Sequence, residues 1–199
     1  MYKVNSIVHY QPDVLLVGEP NMLSSFVLPC IYEAVKLKER RVVELGPFKE
    51  VVDDALPTRR AALSVFATCL KNCPRALDLS LFLPVLASAL GDVQDIQLQA
   101  HQTVIFLSTQ SPSALVDALD SFVDPLRKTC KMTIKGQKTD SEKERINEWI
   151  KSAIRTTLIL TSIEGSNNQR KFFEFSNQIR TDSNLAEIVS QLDEELKTN

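Results

Sequence analysis

The residues of this chain whose chemistry could be catalytic or metal-binding are four cysteines, two histidines and one adjacent acid pair. Cys30, Cys69, Cys73 and Cys130 show no C-x-x-C spacing, so the usual zinc and thioredoxin-like patterns are missing. Cys69 and Cys73 stand four apart, share one helix face and read as small buried hydrophobes rather than a disulfide or zinc pair. His9 and His101 lie far apart in the chain, and His101 falls on an otherwise apolar helical stripe. A satisfied core or groove histidine is expected there, not a base. Asp53 and Asp54 precede a helical pattern and read as acids that favour its positive N-terminal end. No P-loop, G-x-G-x-x-G, G-x-S-x-G or H-E-x-x-H motif appears. The expectation is no catalytic residue, no metal ligand set and no cofactor.

Charge and composition narrow the class further. With 23 basic and 25 acidic residues the formal charge is -2, no footprint for nucleic acid. The run Lys36, Lys38, Arg40 and Arg41 reads as a solvated face; set beside Arg59 and Arg60, it could form a ridge for an acidic partner surface. No apolar run reaches about 18 residues and no signal-peptide pattern opens the chain, so no membrane association is expected. An apolar content of 44% over 199 residues suits a folded protein. The chain reads as soluble, reduced and intracellular.

Helices must position almost everything. In Met22 to Glu39, Leu23, Phe26, Val27, Ile31, Ala34 and Val35 form one stripe at spacings of three and four, with Pro29 predicting a kink or a late start. A second helix begins at Pro57, carries Ala61, Ala62, Val65, Phe66, Cys69 and Leu70 on one face, and stops before Pro74. "LDLSLFLPVLASALGD" follows, with Gly91 as a C-cap. The next helix aligns Ile96, Ala100, Val104 and Leu107 and ends at Ser111-Pro112. Ser113 then reads as the N-cap of "ALVDALDSFVDPLRKTC". Residues 131–140 lose the apolar period and read as a mobile loop. Ser141 with Glu144 has the capping-box spacing for a long helix, and two shorter helices close the chain.

Small residues recur within this order: Ala61-Ala62 precede Ala100 by about 38 residues, near the period of helix-pair repeats. The expected fold class is therefore all-α, an α-solenoid of HEAT-like helical repeats in one domain spanning residues 1–199. A compact helical bundle would show the same stripes; nearly all-apolar middle helices favour stacking on both sides. "DEELKTN" suits a polar C-terminal cap, while "MYKVNSIVHYQP" reads as the tail of a repeat, as in a fragment of a longer chain.

One stretch resists helix. "RVVELGPFKEVVDD", residues 41–54, alternates apolar and charged residues on either side of Gly46-Pro47. An internal proline costs a helix about 3 kcal/mol and a glycine about 1, whereas a hairpin turning at Gly46-Pro47-Phe48 suits the β-branched flanks. A two-stranded hairpin is marginal in water. It must lean on its own helices or be completed by a partner.

The run "ELGPFKEVVDDALPTRRAAL" resembles the E-x-G-P-F-K-x-x-V-D-D-G-L-x-x-R-K-A-A segment of the cullin-associated, neddylation-dissociated family, also called TATA-binding-protein-interacting proteins. "NSIVHYQP", "VLPCIYE", "LSTQSPSAL", "DPLRKTC" and "NLAEI" are similar to the family in order and spacing, so the resemblance covers essentially the whole chain. Glu44, Gly46, Pro47, Phe48, Lys49, Val52, Asp53 and Asp54 match its motif; Ala55 replaces its glycine and Arg60 its lysine. "KMTIKGQKTD" matches only loosely.

The resemblance implies a non-catalytic C-terminal HEAT-repeat domain with an inserted hairpin that competes with the substrate-receptor adaptor for an unneddylated cullin. Such a module acts as a receptor exchange factor for cullin-RING ubiquitin ligases. It implies partner contacts through Val43, Glu44, Leu45, Gly46, Pro47, Phe48, Lys49, Glu50 and Val51, in the cytoplasm, the nucleus or both. The family's grip on the RING end of the cullin is missing from this chain, an avidity loss of about 10² to 10⁴. A transcriptional regulator binding TATA-binding protein, or a general helical-repeat scaffold using its groove, are the alternatives.

Overall fold

Apolar spacing becomes helix almost throughout the computed structural model, which describes residues 22–46, 48–132 and 139–198. The chain divides into two compact units, residues 1–85 and 86–199.

In the first unit a π-helical turn, Leu23–Val27, leads into α1, Leu28–Ala34. Pro29 has no N–H to return to the preceding turn, so the regular ladder starts late. Leu23, Ile31, Ala34 and Val35 are buried as expected, but Phe26 is 70% exposed. The wider π turn rotates it out of the stripe. Two strands follow, β1 (Arg40–Leu45) and β2 (Phe48–Asp53), paired antiparallel from Arg40 opposite Asp53 to Leu45 opposite Phe48. Helix α2 spans Leu56–Asn72 with Pro57 in its first turn and packs on α1. Tyr32, Phe66 and Phe82 form a column of tilted rings 4.9 and 4.8 Å apart. Such pairs contribute about 0.5–1.5 kcal/mol each beyond area burial.

Helix α3 spans Leu79–Ala89. Gly91 follows it in a turn but lacks the left-handed conformation of a glycine cap, since positive φ among the described glycines occurs only at Gly46 and Gly165. Helix α4, Gln94–Gln110, buries Ile96, Ala100, Val104 and Leu107. The single helix expected after Ser113 is two: α5, Pro112–Val116, starting one residue after Ser111, and α6, Leu119–Cys130. Ser113 thus lies inside a helix.

Helix α7, Asp140–Thr161, is the spine of this unit and packs on α4 and α6, on α8 (Arg170–Thr181) and on α9 (Ala186–Thr198). Its capping box uses Thr139 and Glu142, not Ser141 and Glu144. Thr139 lies in the extended conformation an N-cap needs, whereas Ser141 is already the second residue of the helix. Asp140 therefore belongs to a helix, and of the loop expected over 131–140, residues 133–138 lie outside the described ones.

A buried amide knits the spine to its neighbours. Gln97 Oε1 accepts from the Thr129 hydroxyl (2.7 Å) and the Trp149 indole N–H (2.9 Å), while its Nε2 donates to the Asp92 carbonyl (2.7 Å). One side chain thereby joins α4, α6 and α7 with its polar groups satisfied. The result is the all-α class with one inserted hairpin. Among the described residues no helix is long and apolar enough to cross a membrane.

Candidate partner-binding hairpin

Among the described residues, which do not include His9, the reactive side chains do not assemble. Cys69 and Cys130 are buried, and each thiol is pushed up to about 12: Cys69 by burial and then by its neighbour Cys73, Cys130 by burial. Such thiols are protonated and inert. Burial also drives His101 down to about 4. Its Nδ1 lies 3.0 Å from Ser152 Oγ, a core contact. Among the described residues no group of three metal-ligating side chains forms.

The hairpin is where unusual chemistry collects. Alternation sends Arg41, Val43, Glu50, Phe48 and Val52 to one face, and Arg40, Val42, Glu44, Lys49, Val51 and Asp53 to the other. Phe48 is 73% exposed, Val51 64% and Val42 60%. Val43 and Val52 are half-buried. The apolar groups therefore stand on both faces, Phe48 on one and the Val42–Val51 pair on the other. Glu44 and Lys49, opposite each other, form an exposed ion pair at 2.9 Å. Glu50 and Gly46 are exposed. Gly46 has φ 63° with open space around it, so backbone conformation rather than crowding requires glycine. Pro47 lies outside the described residues.

The base of the hairpin is built differently. Asp53 and Asp54 lie just ahead of α2, where acids were expected, and their side chains also clamp the two legs. Asp53 Oδ1 accepts from the Glu39 amide at 3.1 Å and the Ala55 amide at 3.2 Å, and its Oδ2 lies 2.9 Å from Arg59 Nη1. The same Nη1 donates to the Leu37 carbonyl at 2.8 Å. Burial raises Asp53, but these amides and the guanidinium outweigh it and hold the carboxyl below its ordinary range. Asp54 pairs with Arg41, and its amide donates to Glu39 across the ladder.

Arg59 is fully buried, so it is not part of a surface ridge with Arg60. Lys36 is paired with Glu33 and Arg41 with Asp54, which neutralises much of the expected basic face. Sequence did carry a signal for Arg59: it stands three, four and seven residues before Ala62, Leu63 and Phe66, all fully buried. An arginine on that stripe must either end it or be paired inside it.

Fold and hairpin together define a class: a helical-repeat module that presents an apolar hairpin from a clamped base. Residues 21–180 match a family profile described as "TATA-binding protein interacting (TIP20)". Curated relatives include Cullin-associated NEDD8-dissociated protein 1 of Arabidopsis thaliana, 34% identical over 85% of this chain and 14% of that protein. The protein of that name from Dictyostelium discoideum is 32% identical over 100% of the chain and 16% of its own length. Cullin-associated NEDD8-dissociated protein 2 of Rattus norvegicus is 30% identical over 94% and 14%. The chain belongs to this family, as a domain of the cullin-associated NEDD8-dissociated type. It spans about a sixth or less of those relatives' length.

Proposed function

We propose that the chain is a cullin-binding scaffold module that regulates assembly of cullin-RING ubiquitin ligases by competing with the substrate-receptor adaptor. The observation that carries this reading is the exposure of Phe48, Val42 and Val51 on a hairpin of the family's motif. Large apolar side chains held in water on one short hairpin are what an interface hot spot needs, and the relatives are named for cullin association. The contact residues are Val43 to Val51, with Phe48 as anchor. Because Phe48 and the Val42–Val51 pair stand on opposite faces, the fitting partner surface is a cleft that receives the hairpin rather than a flat patch. The reading assigns no catalysis to the chain and places its work in the cytoplasm, the nucleus or both.

The test is co-purification of this chain with each cullin, unmodified and NEDD8-modified, with the adaptor as competitor. Retention of unmodified cullin alone, displaced by adaptor, supports the proposal; equal retention of both forms, or indifference to adaptor, overturns it. The family description favours one second reading, TATA-binding protein as partner. The same pull-down with that protein separates the two.

A further inference from the structure

We infer that Asp53 and Arg59 are positioning residues, which hold the hairpin in one orientation on α2 so that its apolar tip meets a partner already ordered. This rests on the reading of the hairpin as the partner-binding element. A lone two-stranded hairpin is marginal in water, and here the cross-strand pair Val42–Val51 is itself exposed. Order must come from the base.

At that base one guanidinium spans both legs. Arg59 Nη1 reaches the Leu37 carbonyl ahead of β1 and Asp53 Oδ2 at the end of β2, from the first turn of a helix anchored by Ala62, Leu63 and Phe66. Asp53 completes the clamp by taking the Glu39 amide from the first leg and the Ala55 amide ahead of the helix. The Arg59 side chain is 1% exposed and that of Asp53 13%, so little water competes for these bonds. Apolar residues of similar volume commonly stabilise as well as a buried ion pair does. What they lack is direction: charge-assisted bonds to fixed atoms on both legs hold one geometry.

Asp53→Asn keeps the shape and the Oδ1 acceptor but removes the charge facing Arg59. Amide hydrogen exchange of residues 40–45 and 48–53 should accelerate about tenfold while helical circular dichroism is kept. Affinity for unneddylated cullin should fall about tenfold, because ordering of the loosened segment must then be supplied on binding. Combined with Phe48→Ala, the further loss from Asp53→Asn should shrink below about twofold, since the side chain being positioned is gone. Unchanged strand exchange, or the same loss in both backgrounds, overturns the inference. If Phe48→Ala alone leaves binding intact, the partner reading fails and strand exchange by itself decides the positioning role. Should Asp53→Asn not fold, Arg59→Lys provides the same readouts, because lysine is one atom shorter and its ammonium falls short of the Nη1 position that meets both legs.

Discussion

His101 sits in the core of the second unit with Nδ1 3.0 Å from Ser152 Oγ and no solvent exposure. Burial holds its folded pKa near 4, against about 6.5 for an unfolded histidine. The unfolded state therefore takes up the proton first as pH falls. Stability from the neutral ring is fully present above about 6.5 and is lost as pH drops towards about 4, by about 3 kcal/mol in all. Denaturant unfolding followed through Trp149, the sole tryptophan, should show midpoints falling across that window. His101→Gln should flatten the profile, since glutamine can still meet Ser152 but does not titrate.

Phe48→Ala should leave the melting temperature nearly unchanged, because the ring is 73% exposed. Cullin affinity should nevertheless fall by about 2 kcal/mol or more if the ring is an interface anchor. Val51→Thr, on the opposite face, should weaken binding by a smaller factor. Isothermal titration of both variants tests the cleft: a Val51→Thr protein that binds like the wild type would mean the partner touches one face only.

Thr139→Ala should cost about 1 kcal/mol, the usual loss of an N-cap. Ser141→Ala should stay within about 0.5 kcal/mol, as expected for an exposed helical position. Thermal melts of the two single variants distinguish the observed cap from the one expected from spacing.

Gln97→Leu removes the shared acceptor of Thr129 and Trp149. A destabilisation of about 1–3 kcal/mol is expected from the groups left unsatisfied, read from the denaturant midpoint. A shift in Trp149 emission should accompany it, because the indole N–H loses its partner.

The helices were legible because their signal is local. Ile96, Ala100, Val104 and Leu107 recur at helical spacing and are all buried. The hairpin was legible for the same reason, its strands flanking a Gly-Pro that no helix accepts. The capping box at α7 misled by two residues because two candidate pairs, Thr139 with Glu142 and Ser141 with Glu144, share the same spacing. Only backbone conformation selects between them.

By itself the sequence determined the all-α class, the inserted hairpin, and the family motif that runs through it. Those properties depend on neighbours a few positions apart: periodicity, propensity and turn chemistry. Only the tertiary structure decided that Phe26 faces water, that Arg59 is buried, and that Asp53, besides standing at the entry of a helix, clamps the hairpin. The last two turn on residues brought together across the chain, as Leu37, Asp53 and Arg59 are at one guanidinium. A charged side chain is solvated or buried according to whether such partners converge on it, and that convergence is a property of the folded chain.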